Sequence, residues 1–215
     1  MIDLDYAALR ATQVATDPFP HVVVPRFVPP AARDAVLADL PPIGRGGSFP
    51  PESLRLGPSA RALMKALEGP EMRKAIADLF HLDLAAAPTM VTLRGATREK
   101  DGRIHCDSTA KLVTVLLYLN PPQSEVGGDK FADHQGCLRL LRGPDNIEDF
   151  AVEVPPVDGT LLVFPNGPAS WHGHKQFVGE RISLQLNYMT TDQKARSELR
   201  RHRISAFVKR LTRAA

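Results

Sequence analysis

In the first third of the chain, apolar residues recur at intervals of three and four positions, which is the spacing of one face of a helix. The pattern is clear over residues 31–40, 59–67 and 71–80. Prolines follow the first segment, and Gly69-Pro70 separates the other two, as expected where helices begin and end. This part of the sequence therefore predicts three helices.

From about residue 89 the pattern changes to short runs of four to eight residues that are rich in Val, Leu, Ile and Tyr and separated by turn residues. The predicted strands are 90–94, 112–119, 137–141, 151–154, 160–164 and 182–189, with a further short strand inside 18–28. Many short strands favour an antiparallel sandwich or barrel. Two segments without such a pattern, 43–58 and 127–135, are predicted to be loops of the kind that form lids.

The last predicted strand alternates strictly between polar and apolar residues. The polar set is Arg181, Ser183, Gln185 and Asn187, and the apolar set is Ile182, Leu184, Leu186 and Tyr188. Alternate residues of a strand point to opposite faces of the sheet. We expect the apolar face to pack against the N-terminal helices and the polar face to look into the barrel, which favours a ligand cavity over a simple core.

The bulk properties are those of an ordinary globular protein. With 215 residues, 43% hydrophobic and 24% charged, the chain is expected to form a single domain over residues 1–215. No run of 18 apolar residues predicts a transmembrane helix, and the first residues lack the pattern of a signal peptide. We therefore expect a cytoplasmic protein in which Cys106 and Cys137 are reduced thiols.

Positive charge is concentrated near the C-terminus. The formal net charge is only +3, but residues 194–213 contain eight Lys or Arg and one acid, Glu198. One interpretation is the solvated face of a helix. The other is a patch that binds an anionic surface such as nucleic acid, lipid head groups or an acidic glycan.

The segment His105-Cys106-Asp107 places an imidazole and a carboxylate two residues apart, so that on an extended strand both can reach one ion. A third ligand is available from His172 or His174, and the spacing alone leaves both open. Two histidines and one carboxylate that leave coordination positions open suit non-haem Fe(II), whereas a structural zinc site is usually closed by four ligands that include Cys. In isolation, the first two residues could equally form a surface ion pair, and His134 is interpreted as a loop residue.

The stretch from residue 105 to 189 resembles the double-stranded β-helix core of the 2-oxoglutarate/Fe(II) oxygenase superfamily, particularly its prolyl-hydroxylase-like branch and a set of bacterial members. The matching pieces, in the family's order, are 105–107 (HCD), 114–120 (TVLLYLN), 136–140 (GCLRL), 156–164 (PVDGTLLVF), 170–172 (SWH) and Arg181. The sequence departs from the family where Gln135-Gly136 replaces a frequent Gly-Gly before the strand of Leu138.

The resemblance implies an α+β fold, mainly β with flanking helices, in which residues 88–190 form a double-stranded β-helix, or jelly roll. Residues 1–87 would be a helix-rich support and 191–215 a basic C-terminal helix. It implies that the metal is held by His105, Asp107 and His172, because Arg181 then falls at the family's distance from the last ligand.

The resemblance also implies a site for 2-oxoglutarate. The predicted cosubstrate residues are Arg181 as a fork for the far carboxylate, Tyr118 as a phenol donor, Leu138 as an apolar wall, and Thr114 and Gln185 as further pocket residues. The predicted substrate contacts are Arg94, Arg98 and His174. From the sequence alone, Arg181 could also be an exposed residue after a turn at 178–180, and Tyr118 a half-buried core ring.

The implied activity is that of a dioxygenase that uses Fe(2+), 2-oxoglutarate and O2, with room for ascorbate, and hydroxylates a substrate with release of succinate and CO2. The substrate is left open among a protein side chain, a glycan or lipid precursor, and a small metabolite. Two other classes remain: a cupin-like module that binds metal or sugar without turnover, and an interaction protein that docks through its basic C-terminal helix.

Overall fold

A layer of helices covers one face of an antiparallel β core in this computed structural model, which describes residues 2–122 and 131–211, without the side chains of 132 and 207–211. The helices are α1 Tyr6–Ala11, α2 Pro30–Ala38, α3 Pro58–Leu67, α4 Pro70–Phe80 and α5 Gln193–Leu211. The strands are β1 Val22–Val24, β2 Thr89–Thr97, β3 Lys111–Tyr118, β4 Leu138–Leu141, β5 Phe150–Val154, β6 Leu161–Pro165, β7 His172–His174 and β8 Gly179–Met189. The predicted α+β fold class is confirmed.

The strands form two antiparallel sheets. The larger has the order β1-β6-β3-β8-β2, and the smaller has the order β5-β4-β7. Side chains of both sheets meet in one buried cluster, in which Tyr118 and Phe164 of the larger sheet pack with Leu138 and Leu140 of the smaller. The two sheets therefore face each other as the two halves of a jelly roll.

The outer face of the larger sheet packs on the helices, as the alternation in β8 predicts. Leu184, Leu186 and Tyr188 belong to the same buried cluster as Leu63 of α3 and Ile76 of α4. The polar residues of β8 consequently lie on the inner face. The predicted helices are confirmed, although α3 and α4 each begin one residue earlier than predicted, at a proline. Proline is favourable at the first position of a helix, because the backbone N–H that it lacks would have no partner within the helix there.

The structure differs from the predictions made from the sequence at three places. The short helix α1 was missed; Asp5 caps it by accepting a hydrogen bond from the backbone N–H of Ala8 at 2.8 Å. The alternative in which Arg181 is an exposed residue after a turn at 178–180 is excluded, because β8 already begins at Gly179, whose φ of 151° suits glycine, and Arg181 is buried. Within the loop 43–58, Phe49 exchanges two backbone hydrogen bonds of 2.8 Å with Leu93, so part of the loop extends the sheet edge.

Helix α5 docks on the loop that follows Asp107. The Ser108 hydroxyl donates to Glu198 of the helix at 2.6 Å, and the Lys194 ammonium donates to the Thr109 hydroxyl at 2.8 Å. Ala195 is fully buried against this loop. Among the described helices, none is long and apolar enough to cross a membrane.

Candidate metal centre

His105 and His172 face each other across an antiparallel bridge. Each backbone N–H donates to the carbonyl of the other residue at 3.0 Å. Directly opposed residues of an antiparallel pair carry their side chains on the same face. The two imidazole rings accordingly lie with their centroids 4.4 Å apart.

Asp107 brings a carboxylate to the same point. It lies two residues after His105, and one ligand atom from each of the three side chains, Asp107, His105 and His172, lies within 4.8 Å of the other two. The intervening Cys106 points away, toward the Pro168 carbonyl at 3.5 Å. Two imidazoles and one carboxylate on one side of a point are the donor set of a non-haem Fe(II) site with open positions.

Backbone carbonyls orient both imidazoles for metal binding. The Nδ1 atom of His105 lies 2.9 Å from the Arg103 carbonyl, and the Nδ1 atom of His172 lies 2.9 Å from the Ser170 carbonyl. A carbonyl only accepts, so each Nδ1 carries the proton and each Nε2 presents its lone pair to the centre. Burial lowers the pKa of His172 to about 4, which keeps this imidazole neutral near pH 7.

Two further side chains hold the Asp107 carboxylate. The Thr114 hydroxyl donates to one of its oxygens at 2.5 Å, and the Lys111 ammonium donates to the other at 2.7 Å. Burial raises the pKa of Asp107, but the positive charge of Lys111 and these two hydrogen bonds outweigh it, so the net pKa is lowered. The carboxylate is therefore ionised and fixed in orientation before any metal arrives.

Thr114 lies beside the Asp107 carboxylate and not in the cosubstrate pocket, where it was expected. It was predicted as a residue of the cosubstrate pocket, but it contacts Asp107 and is not among the residues that line the cavity. Lys111 was missed by the sequence reasoning. Its backbone N–H donates to the Ser108 carbonyl at 2.9 Å, and this turn returns the chain to Asp107. The only available signal was the spacing of four residues between Asp107 and Lys111, which is uninformative outside a helix.

Replacing Thr114 with valine is expected to weaken metal binding by about 10- to 100-fold, because the ligand carboxylate loses a hydrogen bond that orients it. The measurement is the affinity of the variant for Mn(II) or Fe(II) by calorimetry without oxygen. Thr97→Val is the control, since among the described residues this buried hydroxyl reaches only the Gly179 carbonyl at 3.5 Å. Equal affinities of the two variants would contradict the role of Thr114.

Beside the three side chains lies a cavity of about 140 Å³ between the two sheets. The predicted site residues that line it, besides the three candidate ligands, are Tyr118, Leu138, Gln185, Arg181, Arg94 and His174. Arg98 lies outside the cavity, exposed and paired with Asp101 at 3.0 Å. The described residues of loop 43–58 do not line the cavity either, and residues 127–130 of the other predicted lid lie outside the described residues.

At one end of the cavity, two buried polar atoms lack hydrogen-bond partners among the described residues: the Tyr118 hydroxyl and the Nη2 atom of Arg181. The Arg181 guanidinium carbon lies 5.1 Å from the centre of the Tyr118 ring, and its Nε donates to the Gly136 carbonyl at 2.8 Å. Burial raises the pKa of Tyr118, which keeps the phenol protonated as a donor. Unpaired buried donors cost free energy. A planar carboxylate would satisfy both, so the residues present fit 2-oxoglutarate.

The two histidines of β7 differ in position. His172 joins the ligand cluster, whereas His174 is not part of it. The Nδ1 atom of His174 lies 2.7 Å from the Lys175 carbonyl, and burial together with Arg181 lowers the pKa of His174 to about 4. His134 is exposed and pairs with Glu153, away from the centre.

The comparisons with known proteins agree with this geometry. The family model of the 2OG-Fe(II) oxygenase superfamily matches residues 93–189. No curated protein sequence matches the chain significantly. Among solved structures, a Pseudomonas putida prolyl-4-hydroxylase is similar, with a TM-score of 0.56 and 19% identity over 87% of this chain and 99% of that chain.

Two further structures share the fold. A prolyl 4-hydroxylase from Phytophthora capsici has a TM-score of 0.56 and 16% identity, over 96% of this chain and 77% of that chain. The collagen prolyl hydroxylase of Paramecium Bursaria Chlorella virus-1, in its 2OG complex, has a TM-score of 0.52 and 15% identity, over 83% of this chain and 99% of that chain. Together with the family match over residues 93–189, this fold makes the chain similar to members of the 2OG-Fe(II) oxygenase superfamily.

Proposed function

We propose that His105, Asp107 and His172 are the Fe(II) ligands of this 2-oxoglutarate-dependent dioxygenase, and that Arg181 and Tyr118 bind the far carboxylate of 2-oxoglutarate. The observation that carries the proposal is the convergence of three ligand atoms within 4.8 Å beside two unsatisfied buried donors. A cupin-like module that holds a metal or a sugar without turnover has no use for those two donors, so they favour the oxygenase.

Bound Fe(II) and 2-oxoglutarate supply the activation of O2, which yields succinate, CO2 and a hydroxylated product. The protein's residues position the metal and the cosubstrate. The two imidazoles and the Asp107 carboxylate would hold the metal, and the cavity beside them would take the small molecules. Arg181 and Tyr118 fix the cosubstrate at its other end, and the apolar Leu138 covers one wall of the cavity.

The test is 2-oxoglutarate turnover by the full chain supplied with Fe(II), with and without ascorbate. We expect succinate and CO2 to form slowly without a primary substrate and faster when one is present. Apo protein and protein loaded with Zn(II) serve as the controls. Metal binding without any 2-oxoglutarate turnover would contradict the proposal and favour the cupin-like alternative.

We further propose that residues 1–215 act as one oxygenase domain. Support comes from the buried cluster that joins the N-terminal helices to the sheet, and from β1, which pairs with β6 although it lies far earlier in the chain. A cytoplasmic location also stays a prediction. It is supported by the free thiols of Cys106 and Cys137.

The basic face of α5 is proposed to bind an anionic surface. Arg196, Arg200 and Arg201 are exposed on it, while Glu198 turns inward to Ser108. Although Asp192 lies four residues before Arg196, the three guanidinium groups together leave a positive field at the surface. Residues 212–213 of the basic segment lie outside the described residues.

We expect the triple change Arg196→Glu, Arg200→Glu and Arg201→Glu to lower the salt concentration at which the protein elutes from heparin, with succinate formation unchanged. Point changes are preferable to deletion of the helix, because Lys194 and Glu198 contact the loop after Asp107. The same number of changes at exposed arginines elsewhere, Arg10, Arg55 and Arg61, is the control. Equal elution of both variants would assign α5 to an ordinary solvated helix.

A further inference from the structure

Among the described residues that line the cavity, Arg94 is the charged group whose role the metal and the cosubstrate do not explain. It lies on β2, directly opposite Ser183 of β8, which in turn is opposite Tyr118 of β3. Its side chain lines the cavity together with those of Arg181 and His174. Burial lowers the pKa of Arg94, and the charge of Asp101 only partly opposes this effect.

Arg94 has no hydrogen bond or ion pair with any residue that the structure describes. Two other buried arginines, by contrast, are ion-paired: Arg33 contacts Asp158 at 2.7 Å, and Arg139 contacts Glu153 at 2.7 Å. A partly desolvated cation that no described carboxylate contacts is unfavourable, since it loses hydration and the charge of Asp101 compensates only in part. Such a group is typical of a site that is completed by a ligand.

The remaining charges of the cavity already have partners. Lys111 is paired with Asp107 at 2.7 Å. Arg181, together with Tyr118, accounts for the far carboxylate of 2-oxoglutarate, and the keto-acid end of that molecule is neutralised by the metal it binds. Arg94 is left as an additional positive charge that faces the space beside the metal centre.

We propose that the primary substrate carries an anionic group, a carboxylate or a phosphate, that pairs with Arg94 while the C–H bond to be oxidised lies at the metal. The inference rests on the proposed function, since it presupposes that 2-oxoglutarate occupies the Arg181 end. The planar guanidinium fork suits both anions, which it can bind through two parallel hydrogen bonds. Of the substrate classes left open by the sequence, an acidic metabolite or an acidic position of a larger molecule fits, whereas an uncharged sugar does not.

The experiment measures anion binding to protein loaded with Mn(II) and saturated with 2-oxoglutarate in the absence of O2. Acetate and methyl phosphate are the two probes, which distinguish a carboxylate from a phosphate, and acetamide is the uncharged control. The variants are Arg94→Gln, Arg94→Lys, which keeps the charge without the fork, and Arg10→Gln, which removes an exposed arginine far from the site.

We expect Arg94→Gln to weaken binding of at least one anion by about tenfold or more, as loss of a charged hydrogen bond predicts. Arg94→Lys should retain part of the affinity, and Arg10→Gln should behave as the unmodified protein. The affinity for 2-oxoglutarate itself should change less than about twofold in all three.

Three results would overturn the inference. The first is that neither anion binds the saturated protein. The second is that Arg94→Gln binds the anions as tightly as the unmodified protein, which would assign anion binding to the metal. The third is that Arg94→Gln loses affinity for 2-oxoglutarate, which would assign Arg94 to the cosubstrate. If the unmodified protein does not bind 2-oxoglutarate at all, the proposed function fails instead, so the two failures are distinguishable. Circular dichroism and the unfolding temperature of each variant separate these results from misfolding.

Discussion

Replacing His172 with alanine is expected to lower the affinity for Fe(II) by more than about 100-fold and to abolish succinate formation, since loss of a ligand costs more than loss of a group that supports one. The structural reason is that His172 presents Nε2 to the same point as His105 and Asp107. The measurement is metal affinity by calorimetry, with succinate formation at saturating Fe(II) as the second readout.

His174→Ala is the matched variant, because it removes an imidazole from the same strand and cavity but from outside the ligand cluster. We expect it to keep metal affinity within about threefold, while activity toward a substrate falls. The opposite outcome, with metal binding lost in His174→Ala and kept in His172→Ala, would show that the chain uses the other histidine of β7.

Replacing Arg181 with glutamine is expected to weaken 2-oxoglutarate binding by about 100-fold, or about 2.8 kcal/mol, because the far carboxylate would lose its buried charged partner. Arg181→Lys restores the charge but not the fork and should recover only part of this loss. Metal affinity measured without 2-oxoglutarate should not change in either variant. A 2-oxoglutarate affinity that is insensitive to both changes would contradict the assignment of Arg181.

Tyr118→Phe is a second test of the same pocket, because this change should weaken 2-oxoglutarate binding without destabilising the apo protein. The Tyr118 hydroxyl is buried without a partner among the described residues, so its removal should leave the unfolding free energy of the apo protein unchanged or raised. The same change should weaken 2-oxoglutarate binding by about five- to tenfold. Loss of stability together with unchanged binding would assign Tyr118 to the core alone.

The strand pattern was predictable because a half-buried strand alternates between apolar residues on its packed face and polar residues on its other face. The sequence of β8 indicates which face packs on helices and which faces the cavity, and both are confirmed by Leu184 on one side and Gln185 on the other. The helix α1 was not predictable in the same way, since six residues carry less than two turns of pattern.

The extended His-x-Asp segment similarly determines that two ligand types lie on one side of a strand. The spacing by itself could not decide which histidine of β7 joins them, since residues 172 and 174 have the same parity, although the family resemblance implied His172. The backbone pairing of His105 with His172 decides it, and that pairing joins segments more than 60 residues apart.

The sequence by itself determined the fold class, the inner and outer faces of the last strand, and the residue types of the metal centre. All of these depend on contacts between neighbours along the chain. Only the tertiary structure decided that Thr114 and Lys111 hold Asp107, that α5 rests on the loop after it, and that Arg94 enters the cavity without an ion-pair partner in the part of the chain that the structure describes. Those facts depend on which distant segments meet, and an unpaired charge is visible only when its whole surroundings are known.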